Sequence, residues 1–265
     1  MKGLGDIMTK AAKQYFDLTG RSALITGATR GIGFGLAAGL AQAGAKIILN
    51  GRNPEKLAEA TDRLRLQDVS AQTLCFDVRD QPAVQKAINN YESADGPIDI
   101  LINNAGIQHR QSLEDFASDK FQDVMNTNAT ALFYLGQAVT RHMKQRGQGK
   151  IINIASIMTK MARHHVGAYV TAKAAVGGLT RAMTAEWAAY GINCNAIGPG
   201  YISTELTQPL FEDKAFSDWL IAQTPAGRWG QVDDLVGAAI FLSSSASDFM
   251  HGQVLYVDGG MTVTV

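Results

Sequence analysis

The sequence has little cysteine and no pattern of metal ligands. Two thiols, Cys75 and Cys194, occur in 265 residues, and neither they nor the five histidines show a metal-ligand spacing. We therefore expect no metal site and interpret the cysteines as two buried thiols in a reducing compartment. This interpretation predicts a cytoplasmic protein.

The chain also lacks an excess of charge and a long hydrophobic run. Its formal net charge is zero, which gives no electrostatic reason to expect nucleic acid or an anionic membrane as a partner. No stretch approaches the roughly 20 apolar residues of a membrane span. Residues 1–17 include Asp6, Lys10 and Lys13 and have no apolar run of the length that a signal peptide needs. We interpret them as a short leader with one amphipathic turn, before a fold that begins near Leu18.

What the chain does contain is a regular alternation of apolar runs with stretches of helical period, and no linker divides residues 18–265. Continuous apolar strands between helices are typical of a parallel sheet covered on both faces. The sequence predicts one α/β domain with a doubly wound, Rossmann-type sheet of seven parallel strands and helices on both faces. The predicted strands are 22–26, 45–50, 71–76, 98–104, 149–156, 192–200 and 253–260.

A glycine-rich turn, TGATRGIG, follows the first predicted strand. Glycine lets the backbone approach a pyrophosphate closely, and the N-terminus of the next helix presents free N–H groups and a positive dipole end. The spacing differs from the G-x-G-x-x-G fingerprint, and such a sequence can also be only a tight turn. Its position in an α/β chain favours a dinucleotide site. The candidate contacts are Gly27, Arg30, Gly31, Ile32 and Gly33.

The end of the second strand, LNGRN, indicates which dinucleotide binds. An acidic residue there binds the ribose 2′-hydroxyl of NAD, whereas a basic residue accommodates the 2′-phosphate of NADP. No carboxylate stands at Asn50 or Gly51, and Arg52 follows directly. Arg30 and Arg52 could bind the phosphate through charge-assisted hydrogen bonds, or could be solvated surface residues. We predict NADP(H) as the cofactor.

Two further strand ends extend the predicted nucleotide site. Asp77, followed by Val78, ends the third strand and could accept a hydrogen bond from the adenine amine. The turn of Asn104, Ala105 and Gly106 ends the fourth strand and could pass under the adenosine ribose. Ligands of open α/β sheets bind beyond the carboxyl ends of the strands, where both segments are expected.

The helix after the fifth strand carries Tyr169 and Lys173, four residues apart on one face. A tyrosine with its usual pKa near 10 is a poor base at pH 7, and a neighbouring ammonium lowers that pKa. The spacing alone is common in helices without any catalytic meaning. Two other polar residues make it informative: Ser156 ends the fifth strand, and Asn128 lies in MNTNATALF.

The motifs TGATRGIG, NNAG, YVTAK and IGPGY, together with Asn128 and Ser156, occur in the order and at the strand ends found in short-chain dehydrogenases/reductases. From about Leu18 to its C-terminus the chain resembles this family. The resemblance implies that Tyr169 is the general acid/base and that Ser156 orients the substrate carbonyl. It implies that Lys173 lowers the tyrosine pKa and holds the nicotinamide ribose, and that Asn128 keeps a water in the proton relay.

The same resemblance implies further contacts and an assembly. Beside Tyr169 and Lys173, the cofactor is expected to contact Pro199, Gly200, Ile202 and Thr204. Segment 205–224 is expected to form a small helical lid or a fixed wall over the site. The apolar C-terminal end is expected to pack against a neighbouring subunit in a homotetramer.

Longer stretches, such as NAIGPGYISTEL and TPAGRWGQVDDLVGAAIFLSS, resemble members of the family that interconvert D-gluconate and 5-dehydro-D-gluconate. This implies a small sugar-acid substrate, whose reacting carbonyl would contact Ser156 and Tyr169. Its carboxylate needs a cation. Arg110 is the first candidate and Arg163 or His109 the second, although each could be a solvated loop residue.

Two other functions stay open. One is another reductase of the family, acting on 3-oxoacyl carrier proteins or on tropinone-like ketones. An acidic carrier protein would favour a basic docking patch, for which Arg141, Lys144, Arg146 and Lys150 are candidates, but a solvated helix end explains that cluster better. The other is a non-catalytic NADP-binding module, against which the complete set of four catalytic residues argues.

Overall fold

A computed structural model describes residues 12–264, and its centre is one sheet of seven parallel strands. The strand order is β3-β2-β1-β4-β5-β6-β7, with every neighbouring pair parallel. This confirms the predicted fold class. The strands are β1 (Ser22–Ile25), β2 (Lys46–Gly51), β3 (Ala71–Cys75), β4 (Ile100–Asn103), β5 (Gly149–Ile154), β6 (Ile192–Pro199) and β7 (Val254–Val257).

Helices cover both faces of the sheet because its central strands bury side chains on both sides. In β1, Ala23 and Ile25 face one hydrophobic cluster, whereas Leu24 faces the other. The helices are α1 (Ala12–Tyr15), α2 (Gly31–Gln42), α3 (Pro54–Arg65), α4 (Gln81–Ala94), α5 (Ser118–Met125), α6 (Ala131–Arg146), α7 (Gly167–Trp187), α8 (Gln208–Glu212), α9 (Lys214–Gln223) and α10 (Asp233–Ser243).

The direction of strand addition reverses at β1, which lies between β2 and β4. Strands β2 and β3 extend the sheet on one side of β1, and β4 to β7 extend it on the other. A crevice opens at such a reversal, beyond the carboxyl ends of the strands. The glycine-rich turn after β1 and the turn after β4 therefore face each other across it.

The structure bears differently on the expected N-terminal leader and on the two expected buried thiols. Most of the expected leader lies outside the described residues, although α1 falls within it. The prediction of two buried thiols is correct for Cys194 and wrong for Cys75, which is exposed. Cys75 ends β3, and β3 is an edge strand whose side chains are mostly accessible.

The helices of residues 12–264 include none with the length and apolar character that a membrane span requires.

Candidate active site

The turn between β1 and α2 can be formed only with glycine at its ends. Gly27 and Gly31 have φ angles of +61° and +56°, in the left-handed region that glycine adopts without strain. A Cβ atom on Gly27 would lie 2.9 Å from the Cα of Ala105. The side-chain amide of Asn104 donates to the Gly27 carbonyl oxygen at 3.2 Å and so joins this turn to the one after β4.

The same turn leaves the N-terminus of α2 available for an anion. Arg30 is in an extended conformation at the cap position, and no side chain of the described residues caps the helix there. The first turn of α2 contains no acidic residue. Its N–H groups and the positive end of the helix dipole therefore point into the crevice, as a pyrophosphate group requires.

A charged network forms the wall of the crevice beyond β2 and β3. The Arg79 guanidinium donates to both oxygens of Asp77, with an Nη2–Oδ2 distance of 2.7 Å, and Arg52 Nη1 lies 4.0 Å from Asp77 Oδ2. The hydrogen bond from Arg79 lowers the pKa of the Asp77 carboxyl, which favours its ionised form. Asp77 thus lies beside two arginines, and all three residues line the same cleft as Arg30.

These segments enclose one cleft of about 360 Å³. Gly33 lies behind it, where a Cβ atom would be 2.8 Å from the Gly27 carbonyl oxygen. The other predicted cofactor contacts line the cleft: Gly27, Arg30, Gly31, Ile32, Arg52, Asp77, Val78, Asn104, Ala105, Gly106, Tyr169, Lys173, Pro199, Gly200, Ile202 and Thr204.

Ser156 and Tyr169 lie together at the inner end of the cleft. Ser156 follows β5 in an extended conformation, and its Oγ accepts a hydrogen bond from the Met158 backbone N–H at 3.1 Å. The protein around the Tyr169 hydroxyl raises its pKa by desolvation, and a hydrogen bond with Ser156 acts in the opposite direction. The net direction is upward, opposite to the lowering expected from Lys173, because burial has the larger effect.

Lys173 is buried one helical turn beyond Tyr169. Its Nζ donates to the Ile154 carbonyl oxygen at 2.5 Å and lies 5.6 Å from the centre of the Tyr169 ring. Burial lowers the pKa of Lys173 to about 8. The bond to Ile154 fixes the ammonium at the end of β5, in the cleft that Tyr169 also lines.

Asn128 is buried in a π-helical segment, Asn126–Thr130, between α5 and α6. Its amide nitrogen donates to the Ile107 carbonyl oxygen, and its amide oxygen accepts from the Ile107 N–H, both at 2.8 Å. A π-helical turn widens a helix locally and is frequent at functional sites. The sequence located this residue but gave no indication of the π-helical turn.

The predicted carboxylate-binding residue, Arg110, lies beside Arg163. Arg110 is exposed, and its partial desolvation and the neighbouring Arg163 guanidinium lower its pKa, while Tyr201 acts in the opposite direction. Arg163 Nη1 is 3.5 Å from the Tyr201 hydroxyl, and its guanidinium stacks at 4.3 Å over the ring of Phe216 in α9. Within the described residues neither arginine forms an ion pair with a carboxylate. Two adjacent cations without a counterion can attract an anion.

A comparison of the chain with known protein families agrees with the arrangement of these groups. A family model described as enoyl-(acyl carrier protein) reductase matches residues 27–262, which is most of the chain. The chain belongs to the short-chain dehydrogenase/reductase family. The predicted resemblance is thereby confirmed.

Relatives within the family give a more specific comparison. Gluconate 5-dehydrogenase of Gluconobacter oxydans (strain 621H) is 52% identical over 250 residues, covering 94% of this chain and 98% of the relative. 5-keto-D-gluconate 5-reductase of Escherichia coli (strain K12) is 46% identical with the same coverage. The crystal structure of a gluconate 5-dehydrogenase from Burkholderia cenocepacia J2315, in complex with NADP and tartrate, has a TM-score of 0.94 and 52% identity. That comparison covers 96% of this chain and 100% of the other.

Sequence reasoning did not assign three polar side chains to the site. Arg79 and Glu205 line the same cleft as the predicted cofactor contacts, and the Tyr201 hydroxyl lies 3.5 Å from Arg163 Nη1. A signal existed for each of them. Arg79 follows Asp77 by two residues, Tyr201 ends the IGPGY motif, and Glu205 directly follows Thr204.

Proposed function

We propose that this protein is an NADP(H)-dependent oxidoreductase that interconverts D-gluconate and 5-dehydro-D-gluconate. The observation that carries the enzymatic part is the position of Ser156, Tyr169 and Lys173 in the cleft that begins at the glycine-rich turn. The substrate is supported by the relatives that are about half identical over nearly the whole chain. Reduction and oxidation are opposite directions of the same reaction.

The residues of the chain provide positioning and proton transfer. Tyr169 is the general acid that protonates the carbonyl oxygen during reduction, and Ser156 donates a hydrogen bond to that oxygen. Lys173, fixed by its bond to Ile154, binds the nicotinamide ribose and favours the phenolate formed after proton transfer. Asn128 keeps a water in the relay that returns the proton. When bound, the nicotinamide supplies the hydride.

The cleft suits a dinucleotide carrying a 2′-phosphate. Gly27 and Gly31 form the positive-φ turn that leads into the uncapped N-terminus of α2, where a pyrophosphate would bind. Arg30 and Arg52 provide positive charge where the adenosine ribose would end, and Asp77 holds the Arg52 side chain there. Asp77 can bind the adenine amine only with lone pairs that its bonds to Arg79 leave available.

Replacing Arg52 tests this cofactor preference. We expect Arg52→Gln to raise the dissociation constant of NADPH about 10- to 100-fold, the range for a charge-assisted phosphate contact, and to leave that of NADH within about twofold. Fluorescence titration of both cofactors measures the effect. Arg65→Gln, which removes an exposed arginine of α3, is the matched control. Equal weakening of NADH and NADPH would contradict a role for Arg52 at the 2′-phosphate.

The paired cations Arg110 and Arg163 bind the substrate carboxylate in this proposal. The Tyr201 hydroxyl lies within 3.5 Å of Arg163 and near enough to Tyr169 to influence its pKa. Tyr201 is therefore beside Arg163 and close to the acid. A sugar acid extending from Tyr169 toward the arginines would contact all three along its length.

The proposed basic docking patch gives little support to the alternative function, the reduction of 3-oxoacyl carrier proteins. The residues considered as a docking patch are already engaged: Arg146 Nη1 is 2.6 Å from Glu92, and Lys150 Nζ is 2.8 Å from Asp248. Lys144 lies over the ring of Tyr190. Lys150 is also buried, so it offers no charge to a docking partner.

Assays with 5-dehydro-D-gluconate test the proposed reaction. NADPH oxidation by the purified protein should be much faster than NADH oxidation, and D-gluconate should be oxidised with NADP in the reverse direction. Acetoacetyl carrier protein and tropinone serve as comparison substrates. The proposal fails if either of them is reduced faster than 5-dehydro-D-gluconate.

We also propose that residues 18–265 form one domain that assembles into a cytoplasmic homotetramer. β7 is an edge strand and is only partly buried, so another subunit can cover it. Phe133 of α6 and Phe249 expose large apolar surfaces as well. Light scattering of the protein in solution tests the assembly, and a monomeric mass would contradict it.

A further inference from the structure

Glu205 places a carboxylate at the anion-binding end of α2. A Cβ atom built on Gly31, the first residue of α2, would lie 3.5 Å from Glu205 Oε2 and 3.8 Å from the Cβ of Thr204. Glu205 also lines the cleft in which Gly27, Arg30 and Gly31 are expected to bind the cofactor. An acidic residue is unexpected in a site that must receive a pyrophosphate.

The backbone around Glu205 is held by its own hydrogen bonds. The Thr207 hydroxyl donates to the Ile202 carbonyl oxygen at 2.6 Å and accepts from the Thr204 N–H at 2.9 Å. These bonds fold residues 202–207 into a compact turn over the start of α2. This hydrogen-bonded turn therefore sets the position of the Glu205 backbone.

Glu205 has no competing partner in the part of the chain that the structure describes. No ion pair or hydrogen bond of its carboxylate occurs there, although Arg30 belongs to the same cleft. The carboxylate instead lies beside the first residue of α2, at the positive end of the helix dipole, whose N–H groups are uncapped. The same groups are the ones that a pyrophosphate would use.

We propose that Glu205 competes with the cofactor pyrophosphate for the N-terminus of α2 and so weakens NADP(H) binding and speeds its release. This inference depends on the proposed binding of NADP(H) in this cleft. The carboxylate stabilises the free site and repels the incoming diphosphate. Cofactor release limits turnover in many enzymes, so a residue that accelerates release has a function even though it lowers affinity.

The variant Glu205→Gln removes the charge and keeps the shape of the side chain. We expect its dissociation constant for NADPH to be about 2- to 5-fold lower than that of the unmodified protein, the range for one exposed charge beside a helix terminus. The dissociation rate should fall by a similar factor. Fluorescence titration and stopped-flow displacement measure the two quantities. The tightening should shrink as salt is raised from 20 mM to about 500 mM, because salt screens exposed charges.

Two controls test whether the effect on NADPH affinity depends on the position of Glu205 and on the pyrophosphate. Glu186→Gln removes an exposed carboxylate near the far end of α7 and should leave NADPH affinity unchanged. Adenosine 2′-monophosphate has no pyrophosphate, so its affinity, measured by displacement of NADPH, should be equal in Glu205→Gln and the unmodified protein. If Glu205→Gln binds NADPH as the Glu186 variant does, or more weakly, the inference is overturned while the proposed function stands. If the unmodified protein does not bind NADPH, both are overturned.

Discussion

Tyr169→Phe should reduce kcat for the reduction of 5-dehydro-D-gluconate by about 10³-fold, within the range for loss of a general acid. The phenyl ring keeps the packing of Tyr169 in the apolar clusters that include residues of α5, α8 and α9, so only the proton donor is lost. The dissociation constant of NADPH should change by less than about threefold, since the ribose contact of Lys173 is retained. Steady-state assays and fluorescence titration measure the two effects separately.

Tyr190→Phe is the matched control for this variant. Tyr190 is exposed after the end of α7, and Lys144 lies over its ring, which phenylalanine preserves. Its activity should equal that of the unmodified protein. Activity above about one tenth in Tyr169→Phe would contradict the assignment of Tyr169 as the acid.

The pH dependence of the two directions should differ. Burial raises the pKa of Tyr169, so its hydroxyl is protonated at neutral pH and can donate a proton during reduction. Oxidation requires the deprotonated form and should accelerate as pH rises, because the phenolate fraction increases. Rates of reduction and oxidation between pH 6 and 10 check this expectation. Parallel profiles for the two directions would contradict it.

Removing both cations of the predicted carboxylate site should have the second large effect. We expect the double variant Arg110→Met/Arg163→Met to raise KM for 5-dehydro-D-gluconate about 100-fold, because each lost charge-assisted hydrogen bond weakens binding about tenfold or more. The dissociation constant of NADPH should remain the same, since neither arginine lines the cofactor cleft. Methionine keeps an unbranched side chain of similar length, although it loses the guanidinium that stacks over Phe216.

Two comparisons separate a carboxylate contact from a loss of structure. Arg181→Met, on the exposed face of α7, removes one cation elsewhere and should leave KM unchanged. A neutral ketone that the protein reduces should have the same KM in the double variant and the unmodified protein. If KM for the neutral ketone rises as much as that of the sugar acid, the arginines shape the pocket and do not bind the carboxylate.

The sequence predicted much of the fold because its strands are continuous apolar runs, as expected for strands whose side chains are buried on both faces of a sheet. The seven strands begin and end close to the predicted residues, and helix α7 carries Tyr169 as expected. Helices α4 and α10 were not assigned from the pattern, although Asp80 and Pro82 mark the start of α4. Exposure was harder to predict than strand positions. Cys75 is accessible because β3 is an edge strand, and strand order is not encoded locally.

The sequence by itself determined the fold class, the family and most residues of the candidate site. Glycine at Gly27 and Gly31 and the motifs around Ser156 and Tyr169 require particular residue types, which can be recognised without coordinates. Only the tertiary structure decided the environment of each charge. It pairs Arg79 with Asp77, brings Arg110 beside Arg163, and places Glu205 over α2. Burial, distance and charge pairing depend on segments far apart in the chain, and these three properties set the direction of each pKa shift.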